Sequence, residues 1–259
     1  MIPTKRETKS DLIRHALSAV GKVLYVWGGG WNEADDGAGS IAMIRGIPPS
    51  VTDFTCEMTR NCAIPCAYDY REHRYRLDSG YDCSGYLGWV IWQVLGPSPS
   101  PEGYVFPSAK QARMLAHLGL GQILPDDRKI FAGPGDIVSI PGHVYLSLGC
   151  EEDGSMLIVH ASPPAVSLSA VPAPGAEENG VAVLLARTLC RSVWPLHAAR
   201  FPVSVKSRAR YTQKAEVFRF DPHILPDPDG ISELSAAEVM RRLITPSFIK
   251  QIKSNTEDS

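Results

Sequence analysis

Asp82-Cys83-Ser84-Gly85-Tyr86-Leu87-Gly88-Trp89-Val90-Ile91-Trp92-Gln93-Val94-Leu95, stopped by Gly96-Pro97, contains the most apolar helix-length run in the chain. Read as a buried helix, it puts Cys83 in the first turn. Unpaired backbone N–H groups and the positive end of the helix dipole favour an anion there. That anion would be a thiolate, the nucleophilic form of cysteine, which makes Cys83 a candidate catalyst. The competing reading is core filler, since free cysteine is among the most buried residue types. Gly85 and Gly88 each cost such a helix about 1 kcal/mol against alanine. That cost makes sense if the sheet or another helix approaches closely at those positions.

Outward from this run, residues 8–21 read as a helix, with Leu12, Ile13, Ala16, Leu17 and Val20 at helical spacing and Gly21 as its end. Val23–Trp27 is a short apolar stretch leading into Gly28-Gly29-Gly30. Residues 31–80 sustain no period, and a loop of that length implies an ordered insert or a lid. Beyond the Cys83 helix lies a Pro/Ser linker, Pro97–Pro101. A second helix is expected over Ser108–Leu118, with Ala112, Leu115 and Leu118 on one face. Asp136–Ile140, His143–Leu148 and Met156–His160 read as three strands. Pro141-Gly142 and Glu151-Glu152-Asp153-Gly154 supply their turns. Pro163–Gly180 reads as a loop, and Val181–Arg187 and Ala215–Phe220 as further strands. Asp221–Gly230, with three prolines, reads as a linker. Ser235 to Glu238 matches a capping box that opens a helix to about Ile244. The pattern predicts an α+β fold with the Cys83 helix packed on an antiparallel sheet. A single catalytic domain would span 1–220 with its insert at 31–80, followed by a linker and helical tail over 221–259.

The bulk properties of the 259 residues exclude several classes. A net charge of −2 gives no reason to expect a nucleic-acid partner. No stretch approaches the ~18 apolar residues of a membrane span. Ala16–Trp27 is broken by Lys22 and lacks a small-residue cleavage site, so no secretory signal is legible. Six cysteines in a chain this long do not make a disulfide scaffold. Cys56, Cys62 and Cys66, with His73 beyond, miss the common zinc spacings. Gly28-Gly29-Gly30 lacks the Lys-Ser/Thr ending of a phosphate loop. The basic run Lys206-Ser207-Arg208-Ala209-Arg210 reads as a solvated loop. No metal or cofactor is expected.

The central hairpin supplies partners for the cysteine. Alternation places His143, Tyr145 and Ser147 on one face of their strand. The midpoint between positions 143 and 160 falls in the turn at 151–154. That register would make His143 and His160 cross-strand neighbours, about 5 Å apart at Cβ. One imidazole could then take the thiol proton while the other fixes its orientation. His143, at the strand start, suits the base, and His160 the orienter.

Five motifs occur in order: Tyr25-Val26-Trp27-Gly28-Gly29, Asp82-Cys83-Ser84-Gly85, Pro134-Gly135-Asp136-Ile137-Val138, Gly142-His143-Val144 and Val159-His160-Ala161-Ser162. Over roughly residues 10–190 the chain resembles the NlpC-type (NlpC/p-sixty) cysteine peptidases, papain-like enzymes that cut peptide stems of the bacterial cell wall, typically at γ-D-glutamyl bonds. The resemblance implies Cys83 as nucleophile, His143 as base and His160 as third polar residue. It implies Tyr25 as the tyrosine near the nucleophile, and Asp82 and Ser84 as contacts to the substrate's amino end. Ser108 and Gln111 resemble the family's Ser…Gln helix. The implied partner is a peptidoglycan peptide or soluble muropeptide, and the implied location is the cell wall or exterior. With no export signal legible, the cytoplasm stands as the alternative location. The chain departs from the family in the long 31–80 segment and in Tyr145, where glycine is commoner. Two rival readings use the same residues: an acyltransferase or amidase on a non-wall substrate, and a catalytically silent binding module.

Overall fold

The structure, a computed structural model, describes residues 6–21, 23, 25–30, 80–96, 98, 103–125, 132–176 and 179–247. The insert expected at 31–80, with Cys56, Cys62, Cys66 and His73, lies outside the described residues except for Gly80.

Helix α1 (Lys9–Ser18) opens on a capping box: the Thr8 hydroxyl accepts from Asp11 N–H, and Asp11 accepts from Thr8 N–H. Its Leu12, Ile13, Ala16 and Leu17 face inward. Helix α2 (Cys83–Leu95) is buried nearly all round, from Cys83 to Ile91 and again at Val94. That is why its sequence shows no polar stripe. The Tyr86 hydroxyl donates to Ala16 O at 2.8 Å and ties α2 to α1. Helix α3 (Gln111–His117) begins three residues later than the sequence suggests. Gln111 is fully buried, accepting from Phe106 N–H at 2.8 Å and donating to Tyr104 O at 2.6 Å.

Seven strands form one sheet among the described residues: β1 (Gly121–Ile123), β2 (Ile137–Ile140), β3 (His143–Cys150), β4 (Met156–Ser162), β5 (Ala165–Val171), β6 (Ser204–Val205) and β7 (Glu216–Phe220). Their order is β1-β7-β2-β3-β4-β5-β6, antiparallel except for β5 and β6. Alternation sorts the side chains to two faces. Val144, Leu146 and Leu148 of β3 and Leu157, Val159 and Ala161 of β4 join α1 and α2 in the main core. Val138, Ile140, Tyr145, Ile158 and Val217 form a second core on the opposite face. The fold is thus α+β, as the pattern predicts.

Two expected elements differ. Ala165–Val171, read as loop, is strand β5, fully paired with β4 from Met156↔Val171 to Ser162↔Ala165. Val181–Arg187, read as a strand, opens helix α4 (Val181–Val193). The run Val181–Leu185 looks like a strand when taken alone. Ala182, Val183, Ala186, Cys190 and Val193 are the buried positions, and their spacing is helical. Short helices α5 (Pro195–Arg200) and α6 (Arg208–Thr212) follow. Helix α7 (Ala236–Leu243) has the expected capping box between Ser235 and Glu238. The segment after Phe220 contributes Leu225, Ile231, Ala236, Val239, Met240 and Leu243 to the main core.

Candidate active site

Cys83 is the first residue of α2 and is 7 % exposed. Asp82 caps the helix: its Oδ1 accepts from Gly85 N–H at 2.8 Å and from the Ser84 hydroxyl at 2.9 Å. The glycine-rich segment braces this start. Asp82 N–H donates to Gly29 O at 3.0 Å, and Tyr25 bridges in parallel to Tyr81. A Cβ at Gly85 would stand 2.1 Å from Gly29 O, so the close neighbour at Gly85 is the backbone of the Gly28–Gly30 turn and not the sheet or another helix. Tyr25 is buried in the same core as Cys83, and its N–H donates to Pro164 O at 2.9 Å. Trp27 stands 44 % exposed.

The cysteine and the first histidine meet through the backbone. The N–H of Val144, the residue after His143, faces the Cys83 sulfur, as do those of Ser84 and Cys83 itself. His143 Nε2 lies 2.7 Å from His160 Nδ1, and His160 Nε2 lies 2.9 Å from Ser169 Oγ on β5. The histidines therefore meet, but not in the expected register. The observed ladder pairs Leu146 with Val159 and Ser147 with Ile158, and then shifts at Gly149. Extended towards the strand ends, this register sets His160 opposite Tyr145, so His143 is a diagonal neighbour. A two-residue displacement keeps both imidazoles on one face, where a one-residue slip would have separated them. Diagonal neighbours lie within reach of long side chains. The ring centroids are 4.9 Å apart.

Tyr211 on α6 closes this cluster. Its ring lies 5.7 Å from that of His143 and 6.3 Å from that of His160, centroid to centroid. The Tyr145 hydroxyl donates to Tyr211 O at 2.8 Å, so the bulky residue after Val144 anchors α6. The basic run before Tyr211 is no simple solvated loop. Arg208 donates to Gly154 O and Pro172 O, and Lys206 is half-buried with its N–H bonded to Ala170 O.

Burial sets the protonation states. It pushes the Cys83 thiol up to about 12, with the Asp82 carboxylate adding to the shift. His143 is pushed down to about 3, by burial and then by Lys206 and Arg210. His160 lies well below the usual imidazole range, by burial and then by His143 and Lys206. The resting thiolate expected from the helix dipole is therefore not favoured. A helix N-terminus contributes about 0.3–2 kcal/mol to an anion, whereas burying an uncompensated charge costs several. At rest the Cys83 thiol and the His143 imidazole are both neutral.

The His143–His160–Ser169 chain admits two proton orders. In one, His160 Nε2–H donates to Ser169, His143 Nε2–H donates to His160, and His143 Nδ1 keeps its lone pair. In the other, every donor and acceptor reverses and Nδ1 carries a proton. Only the first makes His143 a base. Ser169 and Tyr211 escaped the sequence reading because they lie on elements misassigned or distant in the chain. Among the described residues no group of three or more His, Cys, Asp or Glu side chains could hold a metal ion, and no helix is long and apolar enough to cross a membrane.

Fold and side chains together define a class: an α+β protein with a buried Cys–His–His set where a helix start meets an antiparallel sheet. In comparisons with protein-family models, curated proteins and solved structures, nothing matched this chain.

Proposed function

We propose that this protein is a thiol hydrolase of peptide or amide bonds, with a papain-like arrangement of the NlpC type. Its substrate would be a γ-D-glutamyl bond in a peptidoglycan stem peptide or a soluble fragment of one. The observation that carries the reading is the junction of Cys83, at the α2 start, with the Val144 N–H and the 2.7 Å His143–His160 contact.

The chemistry follows from neutral partners. Cys83 Sγ attacks the carbonyl carbon as its proton passes to His143 Nδ1, so the ion pair forms only during attack. The Cys83 N–H, at the helix start, meets the developing oxyanion. His143 returns the proton to the leaving amine, and a thioester remains on Cys83. Water, deprotonated by His143, then releases the acid and the free thiol. His160 holds the His143 ring throughout. Asp82 and Ser84 fix the helix start, and with Tyr25 they would border the substrate's amino end, as the family resemblance implies.

The test is cleavage of L-alanyl-γ-D-glutamyl-L-lysine into L-alanyl-D-glutamate and lysine. Wild type is expected to release lysine, Cys83→Ala to release none, and His143→Ala to be slower by about a thousandfold. Cleavage by Cys83→Ala at the wild-type rate, or none by wild type, would overturn the reading. Acyl transfer to an added amine without free acid would mark a transferase instead.

A further inference from the structure

Of the three cations in the 206–210 run, Arg208 is occupied by two backbone carbonyls, Gly154 O at 2.9 Å and Pro172 O at 3.0 Å. The other two have no such use. Among the described residues no carboxylate pairs with Lys206 or Arg210. Both act on the His143 imidazole, and Lys206 acts on His160 as well.

Their placement is fixed by the fold. Strand β6 pairs with β5 at Ser169↔Ser204 and Ala170↔Val205, and Lys206 N–H then donates to Ala170 O at 2.8 Å. The Lys206 backbone is thus held beside the strand that presents Ser169 to His160. Arg210 is one residue before Tyr211, whose ring touches both histidines.

Two neighbouring cations without a counter-ion oppose folding, one of them half-buried. Burial and Arg210 together push Lys206 down to about 8. Burial holds both imidazoles neutral; Lys206 and Arg210 add to this at His143, and Lys206 at His160. An anion arriving there would relieve the repulsion, and guanidinium and ammonium groups are suited to carboxylates.

We propose that Lys206 and Arg210 form a carboxylate-recognition subsite beside His143, selecting substrates that carry a free carboxylate close to the scissile bond. The assignment rests on the hydrolase reading for its substrate class, but its test needs no turnover. Binding to Cys83→Ala protein is measured calorimetrically for L-alanyl-γ-D-glutamyl-L-lysine and for the same peptide with both carboxylates as carboxamides. The free acid is expected to bind about tenfold tighter. That preference should vanish in the protein also carrying Lys206→Gln and Arg210→Gln, with carboxamide binding unchanged. Raising the salt should weaken only the free acid in the parent protein, a check that does not depend on the double variant folding. Equal binding of the two peptides, no binding of either, or a preference that survives the double substitution would overturn the subsite. Failure of wild type to cleave a tripeptide that still binds through its carboxylate would sink the hydrolase reading alone.

Discussion

Asp136, just before β2, and His160, on β4, are both fully buried in one sheet, yet their surroundings treat them in opposite ways. Asp136 is clamped by charge. Arg219 Nε and Nη2 donate to its two oxygens at 2.9 and 2.6 Å, and Gly133 N–H adds a third bond at 2.7 Å. The clamp joins the start of β2 to β7, far apart in sequence. His160 instead sits in a chain of uncharged partners, between His143 and Ser169. The clamp is saturated and so can only hold. The histidine chain is uncharged throughout and ends at His143, the residue before the Val144 N–H that faces Cys83. The motif residue Asp136 thus belongs to the architecture, and the motif residues Cys83, His143 and His160 are those the proposed chemistry uses.

The sharpest way to break this contrast is to cut the clamp. Asp136→Ala leaves a cation in a mostly buried setting and is expected to cost about 3–5 kcal/mol of stability in urea unfolding. Turnover per folded molecule should stay at the wild-type value. A loss of turnover with stability intact would erase the distinction.

Acid should strain the neutral chain next. Burial depresses His143 to about 3 and His197 to about 4, and His160 well below its ordinary 6.5. The unfolded chain binds more protons than the folded one below that ordinary value. Stability is therefore full above about pH 6.5 and falls with pH towards the folded values, by about 1.4 kcal/mol per pH unit for each histidine. His143→Gln should remove one histidine's share of that slope. An unchanged slope would contradict the assignment.

The smallest effect is expected at Ser169. Ser169→Ala should lower kcat about tenfold with little change in KM, since it alters the proton order rather than substrate contact. Ser169→Thr, which restores a hydroxyl, should recover most of the loss. A purely structural role would leave the alanine and threonine variants alike.

Much of this arrangement was legible from local rules. The β2–β3–β4 meander followed from alternation and turn residues, and both histidines were found together. Their register was not legible, because the shift between Ser147 and Gly149 enters through a backbone irregularity. Gly149, at φ 116°, was the available signal, since glycine within a strand marks a bulge. Strand β5 was hidden behind Pro163-Pro164 and its small residues Ala165, Ser167, Ser169 and Ala170, which look like loop until the β4 edge pairs with them. With β5 unread, Ser169 had no reason to be noticed. Lys206 looked like solvent-exposed charge because its burial depends on pairing between β5 and β6. Cys83 was found from its helix, yet its ionisation was not, because the dipole is a local property and desolvation a global one.

The most direct test of the account is the nitrogen-15 NMR signature of the His143 ring in the resting protein. The expected result is a neutral ring from about pH 5 upward, with the proton on Nε2 and the lone pair on Nδ1. A ring that titrates near 6.5, or one that carries its proton on Nδ1, would contradict His143 as the base for Cys83.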